Sequence, residues 1–192
     1  MERAQRGNSG SGSVDLDPRR CHTTEEFGAV VDKMESNLEA LLACDPFGRD
    51  GGRPKAPTTY GVYLFSELAG TGLNHLYVGR VGLTERARKK GAGHSNFRTR
   101  LHGHTRASSG HNQATFAFRL AVETVGDIHD LPVERAERAK HPTFAEAFLA
   151  QKSRVNAMQY RCVEIVDEFE CYIFEPYAAY RLGTPYNSWA TS

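Results

Sequence analysis

The stretch from Arg80 to Arg106 carries Arg80, Arg86, Arg88, Lys89, Lys90, Arg98, Arg100 and Arg106 against one acid, Glu85. Cations gathered in this way suit contact with phosphates. The same run also fits a solvated loop and helix face balanced by the acid-rich stretch from Glu164 to Glu175. Within it, Arg100 and His104 lie one helical turn apart, so a helix there sets a guanidinium and an imidazole on one strip. An imidazole titrates near pH 6.5 and can take a proton at neutral pH. Two blocks frame the start of this region, Gly61-Val62-Tyr63 and Tyr77-Val78-Gly79, each joining a tyrosine to a glycine in an apolar run.

Those side chains need elements to carry them. The runs Tyr60 to Ser66 and His75 to Val81 are rich in strand formers and flank Gly70-Thr71-Gly72-Leu73-Asn74, which predicts an antiparallel hairpin. Alternation along a strand turns Tyr63 and Phe65 one way and Val62 and Leu64 the other, and in a hairpin without a bulge Tyr63 and Tyr77 share a face. Ser95 or Asn96 caps a short helix ending near Arg106, with Phe97 and Leu101 turned to the core. Upstream, Thr23 and Glu26 have capping-box spacing, and Phe27, Val30, Val31, Met34, Leu38, Leu41 and Leu42 recur at helical period. One helix to about Cys44 is expected, covering the core or a partner, before Asp45-Pro46 ends it. Downstream, Ala114 to Thr124 leans to helix. Pro142-Thr143 opens a further helix to about Val155, Tyr160 to Val166 reads as a strand, and a last helix spans about Asp167 to Leu182, bent at Pro176 and ended by Gly183.

In order and spacing these pieces resemble the GIY-YIG nuclease superfamily. The match runs from about Tyr60 to Asn187: the two tyrosine blocks, then Phe97-Arg98-Thr99-Arg100-Leu101-His102-Gly103-His104, then Glu175 twelve residues before Asn187. The resemblance implies an α+β fold, a small three-stranded antiparallel sheet flanked by helices, to which this chain adds an N-terminal helix. It implies Mg²⁺-dependent hydrolysis of phosphodiester bonds in double-stranded DNA, with Mn²⁺ as an alternative ion. Glu175 is then the metal ligand, Arg100 the grip on the scissile phosphate ahead of its rival Arg98, and His104 or Tyr63 the general base. Tyr77 orients water or phosphate, and Asn187 orients the site through hydrogen bonds. Arg80 stands where many relatives have lysine, and Arg88, Lys89 and Lys90 join Arg80 and Arg98 as phosphate contacts. A histidine at position 104 points to the restriction-endonuclease branch. The alternatives are a repair, phage or mobile-element nuclease and a nucleic-acid-binding module without catalysis.

A chain of 192 residues, 40% hydrophobic and 24% charged, fits one main domain able to bury a core without metal or disulfide staples. The reading divides it into a disordered Gly/Ser-rich head at 1–20, an N-terminal helix and linker at 21–57, and a nuclease-like domain at 58–192. Its four cysteines, Cys21, Cys44, Cys162 and Cys171, lack CxxC spacing and are expected to be reduced structural thiols. No apolar run reaches bilayer length, and the first residues lack the apolar stretch of a secretory signal, so a cytoplasmic protein without membrane contact is expected. A palindromic DNA target would call for a homodimer.

Overall fold

A computed structural model of the chain describes residues 23–50, 53–82, 96–126 and 131–187, with no account of the side chains of residues 49, 50, 53 and 54. The architecture is α+β. A three-stranded antiparallel sheet has the order β4-β3-β5, with β3 (Gly61–Ala69) between β4 (Gly72–Val81) and β5 (Gln159–Glu164). Helices cover both faces: α1 (Thr24–Val31) and α2 (Met34–Ala43) precede the sheet, α3 (Phe97–Thr105), α4 (Thr115–Val125), α5 (Arg135–Arg138) and α6 (Pro142–Ala157) lie between β4 and β5, and α7 (Glu168–Leu182) follows. Two short strands, β1 (Arg49–Asp50) and β2 (Arg53–Pro54), pair with each other in the linker.

Because β3 is central, both faces are buried from Gly61 to Ser66, which is why Gly61 to Phe65 is continuously apolar. Tyr63 and Phe65 pack with Phe97, Leu101, Phe116, Phe144 and Tyr160 in one core. Val62 and Leu64 pack with Met34, Leu38, Leu41, Val78 and Phe174 in the other. The alternation expected from strand geometry therefore divides the protein into two layers. At the start of β3, Gly61 has φ +142°, and a Cβ there would collide with the Val163 carbonyl and the Ile165 amide. Only glycine permits this close approach to β5.

The hairpin is longer than the strand-forming residues suggest. Leu73 and Asn74, expected in the turn, pair with Leu68 and Glu67, leaving Gly70-Thr71 as a two-residue turn with Gly70 at φ +60°. A bulge between Phe65 and Ser66 changes the register beyond the tyrosines: Phe65 faces Tyr77, but Ser66 faces His75. Tyr63 and Tyr77 lie on the same side of the bulge and do share a face, with ring centroids 6.5 Å apart.

The expected single N-terminal helix is instead two. The Thr23–Glu26 capping box starts α1, but the chain breaks at Asp32 and Lys33, where Lys33 Nζ reaches Glu170 Oε2 at 2.9 Å and Asn37 Nδ2 reaches Glu170 Oε1 at 2.7 Å. The break lets α2 lay Met34, Leu38 and Leu41 on the sheet while α1 buries no residue. Phe27, expected inside, stays about half exposed against the edge of Phe169. α2 thus packs into the core, on the face of the sheet that carries Val62 and Leu64. β5 ends two residues before the expected Val166, as Asp167 turns to cap α7 by accepting from the Glu170 amide at 2.7 Å. Helices α3, α4, α6 and α7 occupy their expected places, α7 running on through Pro176 to Gly183 in the left-handed conformation. The short α5 has no counterpart in the sequence reading. Cys44, Cys162 and Cys171 are free thiols. No helix among the described residues is long and apolar enough to cross a membrane. The 1–20 head and Cys21 lie outside the described residues.

Candidate active site

β3, β4, α3 and α7 meet around an open cleft of about 380 Å³ lined by Tyr63, Tyr77, Arg80, Arg100 and Glu175, with Val81 and Gly82 at one end. The side chains come from elements that are far apart in sequence. β3 and β4 supply the tyrosines and Arg80, α3 supplies Arg100, and α7 supplies Glu175. The α3 helix is fixed by an Asn96–Thr99 capping box and by the burial of Phe97 and Leu101, so Arg100 is turned to the sheet. Arg98, two residues earlier, points elsewhere: its Nε donates to the Ala56 carbonyl at 3.1 Å and ties the helix to the linker. The cleft therefore takes Arg100 and leaves Arg98 out.

Tyr63 sits at the centre of a hydrogen-bonded line. Arg100 Nε donates to the Tyr63 hydroxyl oxygen at 3.2 Å, and the same hydroxyl lies 2.9 Å from His104 Nε2. A guanidinium can only donate, so the phenol oxygen accepts from Arg100 and its own O–H is free to donate to Nε2. With the hydroxyl donating to Nε2, His104 is the neutral Nδ1–H tautomer, and its Nδ1 has no partner among the described residues. Burial drives the His104 pKa well below 6.5, and the Arg100 charge lowers it further. Burial, reinforced by Tyr77, raises the Tyr63 pKa, while Arg100 pulls it down. His104 is fully buried behind Tyr63 and exposes no surface to the cleft. Tyr63 borders the cleft but has no exposed surface of its own.

Tyr77 stacks on Phe116 with ring centroids 4.8 Å apart and planes 10° from parallel, which fixes it in the cleft wall. Opposite, Arg80 Nε donates to Glu175 Oε2 at 2.6 Å, and the guanidinium lies 3.6 Å from the centre of the Tyr172 ring. Burial raises the Glu175 pKa against the opposing charges of Arg80 and Arg100. Asn187 lies at the outer edge of β4. Its Oδ1 accepts from the Val78 amide and its Nδ2 donates to the Val78 carbonyl, both at 2.7 Å, and Thr184 Oγ1 donates to the same Oδ1. Asn187 thus holds the backbone between Tyr77 and Gly79.

Glu175 is the one carboxylate lining this cleft, and among the described residues no group of three or more His, Cys, Asp and Glu side chains gathers anywhere. Mg²⁺ commonly takes one or two protein carboxylates and keeps several waters, so this donor set fits such an ion and does not fit a multi-ligand cage. Arg88, Lys89 and Lys90 lie outside the described residues.

No family model, no curated protein and no solved structure matches this chain.

Proposed function

We propose that the chain is a metal-dependent endonuclease that hydrolyses phosphodiester bonds of double-stranded DNA, of restriction type and acting in the cytoplasm. What supports this reading is that Tyr63, Tyr77, Arg80, Arg100 and Glu175, separated widely in sequence, line one cleft in which two guanidiniums flank a single carboxylate. Phosphoryl transfer asks a site to hold charged oxygens and to receive a proton from the nucleophile.

In this mechanism Arg100 grips the scissile phosphate with its planar fork of donors. Its Nε now holds the Tyr63 oxygen, so drawing the guanidinium onto a phosphate frees that oxygen to accept a proton from the attacking water. Tyr63 passes its own proton along the 2.9 Å hydrogen bond to His104 Nε2, which burial keeps neutral and makes a weak base, so the imidazole holds the proton only transiently. The two candidate bases then act in series, Tyr63 at the nucleophile and His104 behind it. Tyr77, clamped on Phe116, orients the water or phosphate. A Mg²⁺ ion held by Glu175 would supply a positive charge beside the phosphoryl oxygens. A palindromic target would be read by a two-fold dimer.

The Arg80–Glu175 ion pair favours a second reading, a nucleic-acid-binding module without catalysis, because it already occupies one carboxylate oxygen. Glu175→Ala separates the two. Under the nuclease reading the purified variant loses Mg²⁺-dependent cutting of duplex DNA by at least about 100-fold, the scale of one electrostatic contribution to a transition state, and still binds duplex in a chelator. Undiminished cutting by the variant sinks the Glu175 assignment, and binding without cutting by the parent chain selects the inactive module. Discrete fragments from mixed DNA support the restriction type, and smears support a repair, phage or mobile-element nuclease.

A further inference from the structure

Beyond Tyr77 lie two arginines that form no ion pair among the described residues, although Glu123, one turn along α4 from Arg119, bonds the Tyr186 hydroxyl. Arg119 on α4 donates through one terminal nitrogen to the Tyr186 carbonyl, and Arg135 at the start of α5 donates through Nη2 to the His111 carbonyl at 2.8 Å. The Arg135 guanidinium lies 4.3 Å from the centre of the Phe118 ring, and its Nε is buried without a partner. The Arg135 pKa is lowered by burial and then by the charge of Arg119, with Tyr77 acting the other way. Arginines held on carbonyls and an aromatic face keep most of their donors unspent, since a guanidinium has five N–H groups.

The pair is joined to the cleft by direct contacts. Tyr77 stacks on Phe116, which packs 5.5 Å from the Tyr186 ring, and the Tyr186 carbonyl takes Arg119. On the other flank, Arg100 donates to the Gln113 carbonyl at 3.4 Å while Arg135 holds the His111 carbonyl two residues earlier. Arg100, Arg135 and Arg119 thus form a track that leaves the cleft along one loop and the face of α4.

The geometry points to a second phosphate subsite at Arg119 and Arg135, which takes the backbone phosphate next to the scissile one on the Tyr77 side. This role rests on the nuclease reading for its ligand, a nucleic-acid strand. The site itself requires only an anion of phosphate chemistry. Planar donors suit the nonbridging phosphate oxygens, and a second fixed phosphate sets the register of the strand before chemistry.

The test compares the parent chain with Arg119→Gln/Arg135→Gln, with Arg119→Lys/Arg135→Lys, and with Arg154→Gln as a charge control, since Arg154 is an exposed residue paired with Glu67. Binding of a 20-base-pair duplex is measured by fluorescence anisotropy in chelator across a salt series. In parallel, the arginine Nε–H resonances are followed by NMR as inorganic pyrophosphate is added. The Gln pair is expected to weaken duplex binding about tenfold and to lower the slope of log affinity against log salt by about 1 to 2, since each lost phosphate contact removes roughly 0.9. The Lys pair and Arg154→Gln keep the parental slope. An unchanged slope in the Gln pair overturns the subsite and leaves the nuclease reading standing. If the parent binds no duplex but pyrophosphate shifts the Arg119 and Arg135 resonances, the nuclease reading fails and the anion subsite is supported. If neither probe binds, both fall.

Discussion

Gly79 lacks a side chain because the Tyr63 ring fills its place: the two residues face each other across β3 and β4, and a Cβ on Gly79 would overlap the ring and hydroxyl of Tyr63. The overlap falls on a fully buried, hydrogen-bonded side chain that cannot swing away. Gly79→Ala is therefore expected to cost about 1–3 kcal/mol, the scale of overpacking a closed core, and to break the Tyr63–His104 hydrogen bond. Chemical denaturation checks the first, and loss of DNA cutting by the folded variant checks the second. Parental values for both would mean that Tyr63 is not held where the cleft requires it.

Tyr63→Phe deletes one oxygen that serves two partners. Arg100 Nε loses its acceptor in a part-buried setting and His104 Nε2 its donor in a fully buried one. A stability loss of about 1–3 kcal/mol is expected from the unsatisfied groups. Cutting should fall by about 100- to 10,000-fold if the phenol carries the proton. Cleavage kinetics beside urea melts separate the effects, because a purely packing role predicts destabilisation with near-parental turnover.

Acid should weaken the fold through His104. Its folded pKa lies below the ordinary 6.5, so the unfolded chain binds the extra proton first. The stabilisation is complete above pH 6.5 and is lost as pH falls below it, by up to about 1.4 kcal/mol per pH unit for one proton. His75, also lowered chiefly by burial, acts in the same direction. Glu175, whose pKa is raised, opposes them: its contribution is present below the ordinary carboxylate range and lost as pH rises. His104→Gln isolates the histidine, and its stability between pH 6.5 and 5 should vary less than that of the parent chain. Parallel pH profiles would contradict the buried neutral imidazole.

Asn187→Ala removes the side chain that bonds both backbone groups of Val78. Hydrogen exchange at the Val78 amide should speed by roughly tenfold or more, as one net hydrogen bond is worth about 1 kcal/mol and the site opens to water. Exchange at Leu64, buried in the central strand, should change little. Equal protection of Val78 in both proteins would show that the side-chain bonds do not hold the strand.

Strand alternation placed Tyr63 beside Tyr77, and helical spacing placed Arg100 beside His104, because both patterns are local and periodic. What distant parts of the chain impose was not legible. The break at Lys33 depends on Glu170, which lies in another helix. The burial of His104 depends on Phe65, Tyr77 and the rest of the sheet face, so a residue expected beside Arg100 as a candidate base stands behind the phenol. Arg98 and Arg100 were indistinguishable as cations until the Ala56 carbonyl claimed one of them. Arg119 and Arg135 gave no signal, since the carbonyls and the ring that hold them come from other parts of the chain.

Asn187 also has a consequence for self-association. A three-stranded sheet offers two open rims to any passing β-segment, and the β4 rim is one of them. With the Val78 amide and carbonyl already answered by an amide side chain, a foreign strand docking there finds the hydrogen-bonding ladder interrupted at its midpoint. The site residue that steadies Tyr77 and Gly79 is at the same time a guard against strand-by-strand polymerisation along the β4 rim, which directs any pairing of two copies of this chain to other surfaces.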